Sequence, residues 1–247
     1  MNIYLDMTAG VDSDALASAC YSFLGEAERK PFAEALDRAC GLFAGRADFV
    51  EVVDRGKVGF RIEWKLRGHE RKCGFADGKE TMRKIADSLE LSSYARKMTN
   101  DAIDELAEAA GDPASVDFPD LGGHGVTMTG LLMDFAAVGK FADLIGLSGN
   151  RPSGSFISIG ENYADGDNGE KRVPSPVAAR LLVNMRFRFG PSFGDFAGPP
   201  GLAIIRQLLH AQTDTVPETG REGLGFGRRI YGGKRLSVRL MEQPEGE

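Results

Sequence analysis

The sequence predicts an α/β fold: a mixed sheet flanked by helices, with a β-hairpin and an α-hairpin in the first half. Residues 58–64 alternate apolar with mostly polar side chains, which is typical of a strand buried on one face. Residues 92–110 and 128–145 instead carry apolar side chains at helical spacing. The hydrophobic content of 42% and charged content of 27% are ordinary for a globular chain. Both periods in one such chain indicate helices packed on a sheet.

The first half contains regular elements separated by clear turn signals. Asp12 or Ser13 caps the first helix, and Gly56 supplies the turn of the hairpin. The predicted order is strand 2–6, helix 13–23, helix 32–43, strands 49–53 and 57–65, and helices 80–89 and 92–110.

The second half is richer in glycine and is predicted to contain more turns. The predicted order is helix 128–145, strand 155–159, acidic loop 161–170, a helix following Pro174 and Pro176, strand 182–189, helix 203–210, loop 216–227 and strand 235–241. We divide the chain into segments 1–66, 67–115 and 116–241 and a tail, 242–247.

Two helix starts in the basic part of the chain are marked by proline and glycine. Lys171 and Arg172 precede Pro174, and Gly198 and Gly201 flank the second start. Proline in the first turn fixes φ without losing a hydrogen bond, and helix N-termini favour anions. These residues are therefore candidates for binding a phosphate or carboxylate ligand.

A third candidate is the sequence GLGFG followed by two arginines. Gly223, Gly225 and Gly227 offer free backbone N–H groups, and Arg228 adds a cation. Such a segment forms a phosphate nest in some proteins, and it is equally usual in ordinary turns.

Three carboxylates surround the first turn of the chain. Asp6, Asp12 and Asp14 lie at the end of the first strand and the start of the first helix. Carboxylates so placed bind a divalent cation such as Mg²⁺ or Mn²⁺. The alternative is that Asp12 caps the helix and Asp14 stabilises its first turn.

Charge is divided unevenly along the chain. Residues 171–240 contain 12 Lys/Arg and four Asp/Glu, whereas residues 1–170 carry a net charge of −11. This charge distribution favours a phosphate-bearing ligand bound by the basic residues 171–240, or attraction between these residues and the acidic residues 1–170. The basic residues lack the interleaved aromatic residues of nucleic-acid binding. Three irregularly spaced cysteines, no signal sequence and no membrane-length apolar run indicate a cytoplasmic protein.

The order and spacing of these motifs resemble the N-terminal half of the LarC family. Gly169–Leu182 is similar to the family's G-x-x-x-V-P-x-P-x-x-A-x-L-L, followed by G-[DE]-x-x-x-P-x-G and G-x-G-x-G. The start of the chain is similar to the family's Y-F-D-x-x-S-G-I-S-G-D at Tyr4, Asp6, Gly10 and Asp14. The resemblance implies a nickel insertion protein that completes a nickel-pincer nucleotide cofactor, with nickel or another divalent cation involved.

The chain departs from the family at residues 116–125. Asp117 and Pro119 stand where the family has histidines, while Asp120 replaces a glutamate. His124 has no family counterpart. With Asp117 and Asp120 it is a candidate replacement metal ligand, since a histidine beside two carboxylates suits a divalent metal, or else an ordinary surface residue.

The resemblance leaves two functions open. The first is a LarC-like metal chelatase-type lyase that binds a nucleotide-type ligand and a divalent metal; no catalytic residue is assigned. The second is a non-catalytic paralogue that binds an anion or acts as a scaffold. LarC proteins continue into a second domain that binds a cytidine nucleotide, so we expect that nucleotide only with a separate C-terminal subunit. Self-association of the chain is also compatible with either function.

Overall fold

The computed structural model describes residues 1–67, 74–111, 127–161, 163–166, 169–190, 194–218 and 220–243. The described residues form seven α-helices and eleven β-strands, which confirms the predicted α/β class. The helices are α1 (Ser13–Phe23), α2 (Glu26–Gly41), α3 (Phe75–Ser88), α4 (Ser93–Ala110), α5 (Met128–Leu144), α6 (Pro176–Leu181) and α7 (Pro199–Leu208). The strands are β1 (Asn2–Asp6), β2 (Arg46–Asp54), β3 (Lys57–Lys65), β4 (Ser153–Gly154), β5 (Ile157–Ser158), β6 (Tyr163–Gly166), β7 (Gly169–Arg172), β8 (Phe187–Arg188), β9 (Ala211–Gln212), β10 (Glu222–Tyr231) and β11 (Lys234–Gln243).

A mixed seven-stranded sheet organises the molecule, in the order β2-β3-β10-β11-β1-β4-β9. Strand β11 pairs antiparallel with both β10 and β1, whereas β4 runs parallel to β1. Helix α1 packs across β3, β10 and β11, and α5 packs against α1. Two smaller sheets, β5-β8 and β6-β7, lie outside this layer. Helix α1 is therefore enclosed between the sheet and α5.

The strongly periodic elements agree with the sequence prediction. Helix α1 has the predicted bounds because the Asp12 side chain caps it and ten of its eleven residues are buried. The β2–β3 hairpin turns at Arg55 and Gly56, both with positive φ. Gly56 provides the freedom expected from its lack of a Cβ atom.

Four predictions in the second half were wrong. The predicted strand 182–189 contains only the two-residue strand β8. Residues 216–227 are not one loop, because β10 begins at Glu222. The predicted acidic loop 161–170 contains the β6–β7 hairpin. The predicted strand 155–159 is reduced to β5, with β4 just before it. The division into four segments stays a prediction.

The β3–β10 boundary is an incomplete seam in the main sheet. The two strands share one registered pair, Phe60 with Gly225. On one side of this pair the backbone N–H of Ile62 donates to Ser18 Oγ at 3.0 Å. On the other side the N–H of Leu224 donates to Ser22 Oγ, also at 3.0 Å. Two hydroxyls of α1, four residues apart, thus replace strand-to-strand hydrogen bonds.

Ser18→Ala is expected to lower the free energy of unfolding by about 1–3 kcal/mol, because it leaves the buried N–H of Ile62 without an acceptor. Urea unfolding monitored by circular dichroism measures this loss. Ser93→Ala, at an exposed position in the first turn of α4, is the control. Equal stability of the two variants would contradict the role of Ser18.

Candidate functional site

A cluster of buried charges surrounds the N-terminus of α1. We call Asp12, Asp14, Asp134, Asp195, Arg228 and Arg229 the arginine–carboxylate cluster. Its four carboxylates are almost completely buried. Burying a carboxylate requires a compensating cation or hydrogen bonds, so the two arginines are essential to this arrangement.

Arg228 links α1 to α5. Its backbone N–H and its Nε–H both donate to Asp14 Oδ2, at 2.8 and 3.0 Å. Its Nη2 lies 3.7 Å from Asp134 Oδ2. The Arg228 side chain nevertheless remains 33% exposed, so part of its guanidinium group faces outward.

Arg229 binds the other two carboxylates of the cluster. Its Nε lies 3.3 Å from Asp12 Oδ2, and its Nη1 lies 3.4 Å from Asp195 Oδ2. Neighbouring residues of a regular strand point to opposite faces. The β10–β11 register shifts between Phe226 and Ile230, however, and this irregularity lets both arginines reach the same helix end.

Asp134 is the most deeply buried member of the cluster and has no solvent exposure. Its Oδ1 accepts from Trp64 Nε1 at 2.7 Å, and its Oδ2 accepts from Ser13 Oγ at 2.9 Å. The indole of Trp64 therefore connects the end of β3 to α5. These bonds hold Asp134 in position while Arg228 supplies the opposite charge.

Burial dominates the protonation of this cluster. It raises the pKa of Asp134 to about 7, although Arg228 acts in the opposite direction and Asp14 raises the pKa further. Burial likewise raises the pKa of Asp12 to about 6 against the attraction of Arg229. The cluster can therefore accept a proton near neutral pH.

The raised pKa of Asp134 predicts a pH-dependent stability. Between its ordinary value of 3.8 and about 7 the folded protein binds more protons than the unfolded chain, so stability falls as pH rises through this range. Asp134→Asn is expected to flatten that fall by up to about 1.4 kcal/mol per pH unit, the limit for one proton. Urea unfolding between about pH 4 and pH 8 measures the slope.

Asp48→Asn is the matched control, since Asp48 forms a more exposed ion pair with Arg46. This control is expected to keep the wild-type slope. An Asp134→Asn variant with an unchanged slope would show that another group causes the pH dependence.

The motif glycines lie along α1, with Gly198 and Gly201 at its N-terminus, Gly225 beside its middle and Gly223 beside its last residue, Phe23. A Cβ atom on Gly201 would lie 2.5 Å from the Cα of Asp12, and one on Gly198 would lie 2.5 Å from Asp12 Oδ1. A Cβ on Gly223 would lie 2.2 Å from the backbone N of Phe23, and one on Gly225 would lie 2.0 Å from that of Ala19. The glycines thus allow α7 and β10 to approach α1.

The N-terminus of α7 already faces a carboxylate of the chain itself, because Asp12 lies against the start of this helix.

The basic residues before α6 lie elsewhere. Lys171 and Arg172 end β7, Arg172 is exposed, and Pro174 lies two residues before α6. The cavities lined by Asp6, by Arg180, by Trp64 and by His210 do not include Arg172, Gly198 or Gly225. The structure therefore places Gly198, Gly201 and Arg228 at the N-terminus of α1 and Gly225 and Gly223 farther along the same helix. Arg172 does not line these cavities. Gly227 accompanies this group, since its Cβ would lie 3.1 Å from Asp14 Oδ1.

The three carboxylates predicted to bind metal have separate arginine partners. Asp6 Oδ2 accepts from Arg239 Nη2 at 2.8 Å, and its Oδ1 accepts from Thr8. Within the described ranges, no three His, Cys, Asp or Glu side chains are grouped so as to hold a metal ion. Asp120 and His124 lie outside the described residues.

Sequence reasoning missed three members of the cluster. Asp134 is the one carboxylate among the buried residues of α5, and that isolation in an apolar helix was a usable signal. Asp195 is the acidic residue of the G-[DE]-x-x-x-P-x-G motif, and Arg229 is the second arginine after GLGFG. Their pairing could not be read from these motifs, because it depends on how α7 and β10 meet α1.

The chain was compared with known proteins. A profile of the family described as nickel insertion protein matches residues 3–245. The chain belongs to this family. The comparisons with curated proteins and with solved structures return no match.

As a nickel insertion protein, the chain is associated with nickel insertion into a cofactor. This membership agrees with the resemblance recognised in the sequence motifs. In the described part of this nickel insertion protein, no helix has the length and apolar character needed to cross a membrane.

Proposed function

We propose that the chain binds a small cofactor precursor carrying phosphate and carboxylate groups and takes part in inserting nickel into it, as a chelatase-type lyase in the cytoplasm. The observation that carries this proposal is the family match over residues 3–245. The packing of the motif residues along α1 supports it, since segments distant in sequence meet on this one helix. Nickel is the cargo in this reaction.

The outward face of Arg228 is the proposed contact for an anionic group of the precursor. Guanidinium groups have five N–H donors and bind carboxylate and phosphate in a planar, two-pronged geometry. The inner side of Arg228 is already held by Asp14, so the outer donors are fixed in direction. Lys171 and Arg172, which belong to β7 and lie apart from Arg228, are proposed to contact a different anionic group of the precursor.

Asp120 and His124 are the proposed nickel ligands. Asp6, Asp12 and Asp14 would each have to leave an arginine before binding a cation. Metal ligands must be deprotonated, and binding releases protons. Asp134 and Asp12, whose pKa values are raised to about 7 and about 6, are suited to accept such protons near neutral pH.

Nickel binding tests this proposal directly. The purified chain is incubated with nickel chloride, desalted and analysed for retained metal, with and without cytidine triphosphate. We expect stoichiometric nickel in the wild type, and its loss in Asp120→Asn/His124→Ala but not in Asp48→Asn. Absence of retained nickel under both conditions would contradict a direct role in insertion. Dependence on the nucleotide would favour a cytidine-binding function that we otherwise assign to a separate C-terminal subunit.

A specific observation favours a second function, that of a non-catalytic anion-binding or scaffolding subunit. Asp117 and Pro119 occupy positions where the resembled family has histidines, which removes two nitrogen ligands suited to nickel. A thermal shift with inorganic phosphate, without nickel retention, is the result expected from this function. Nickel retention would exclude it.

A further inference from the structure

The seam between β3 and β10 opens into a cavity of about 460 Å³. The opening arises because the strands share a single registered pair and Ser22, not β3, accepts the N–H of Leu224. This volume lies in the range of small-molecule sites. We call it the seam cavity.

One part of the cavity wall is apolar. It includes Val58, Phe60 and Leu224. Val58 as a residue is 58% exposed, although it adjoins this concave surface. A flat ring bound against Val58 and Phe60 would remove apolar surface from water.

Three cationic side chains line the polar part of the wall, and they differ in the partners that they contact. Arg239 lies between two carboxylates. Its Nη2 is 2.8 Å from Asp6 Oδ2, and its Nη1 is 3.3 Å from Glu222 Oε2. Arg29 donates to the carbonyls of Tyr21 and Ser22 at the end of α1. The side chain of Lys57 has no hydrogen-bond or ion-pair partner among the described residues.

The charges around the cavity favour an anion. Asp6 and Glu222 share the single positive charge of Arg239, which leaves one negative charge in excess. Arg29 donates hydrogen bonds only to uncharged carbonyl groups. The Arg29 guanidinium group also lies over the Phe60 ring, 4.9 Å from its centroid. With Lys57 included, three cations and two carboxylates line the cavity, so its lining carries a net charge of +1. A carboxylate or phosphate beside Lys57 would complete the pairing.

We propose that the seam cavity binds a small molecule composed of a flat apolar ring and an anionic group. The ring lies against Val58 and Phe60, and the anionic group meets Lys57. This site is distinct from the arginine–carboxylate cluster, and it exists whether or not the chain inserts nickel. Its test therefore contains no metal.

Phenyl phosphate and benzoate are suitable probes, because each joins one flat ring to one anionic group. Isothermal titration with the whole chain measures their dissociation constants, with inorganic phosphate and phenol as single-group comparisons. We expect phenyl phosphate to bind more tightly than either comparison. No binding of phenyl phosphate or benzoate, or equally tight binding of inorganic phosphate, would overturn the proposal.

Two variants locate the site. Lys57→Glu reverses the free charge and is expected to weaken phenyl phosphate binding by about tenfold or more. Val58→Trp is expected to fill the ring position and weaken binding similarly. Lys65→Glu is the control, since Lys65 lies on the same strand and pairs with Glu63 away from this cavity. Unchanged affinity in folded Lys57→Glu, or an equal loss in Lys65→Glu, would overturn the assignment.

Discussion

Gly225→Ala is expected to lower the free energy of unfolding by about 3 kcal/mol or more. The added Cβ would lie 2.0 Å from the backbone N of Ala19 and 2.2 Å from the backbone O of Ala15. Both are main-chain atoms of α1, so no change of side-chain rotamer relieves the overlap. Helix α1 would have to move away from β10. Urea unfolding of the purified variant measures the loss.

Gly41→Ala is the control for this prediction. Gly41 ends α2, and a Cβ there would meet no atom within 4 Å. Alanine is a better helix former than glycine, so this variant is expected to be as stable as the wild type or slightly more so. Wild-type stability in Gly225→Ala would show that α1 and β10 are not in such close contact.

Arg228→Gln is expected to lower the free energy of unfolding by about 3–5 kcal/mol at about pH 8, because it leaves buried carboxylates without their cation. Asp14 and Asp134 are 4% and 0% exposed, so water cannot replace the guanidinium group. The loss is expected to be smaller at about pH 5.5. There Asp134, with a pKa of about 7 even in the presence of Arg228, is mostly protonated. Unfolding by urea at both pH values measures the difference.

Arg46→Gln provides the comparison for an exposed pair. Arg46 Nε lies 2.9 Å from Asp48 Oδ1, and the two side chains are 69% and 33% exposed. Exposed ion pairs of this kind contribute little to stability. This control is expected to change stability by less than about 1 kcal/mol. A similar small effect in Arg228→Gln would mean that the cluster is hydrated or that its carboxylates are already neutral.

The sequence was most informative about the fold where one period extends over many residues. Helix α1, the β2–β3 hairpin and α4 each have enough apolar positions to define a period. Strands of two residues, such as β4 and β9, have no period to read. Strand β10 was missed because glycine normally marks a turn, whereas here it allows a helix to cross the strand closely.

The same glycines explain why the candidate site could be predicted only in part. The motif residues Asp12, Asp14 and Arg228 were recognised, and the structure places them together. Their partners could not be read from spacing, because Arg228 lies 214 positions from Asp14 in the chain. Asp6, Asp12 and Asp14 are close in sequence, but each interacts with a different arginine. The metal role of these three remains a prediction.

The position of β11 has a consequence for biosynthesis. This strand lies between β10 and β1, yet its residues, Lys234–Gln243, are translated after every other strand described. Until they leave the ribosome, β1 and β10 each present an open edge that can pair with other nascent chains. We therefore expect the nascent chain to depend on chaperones until β11 has been translated and can pair with both strands.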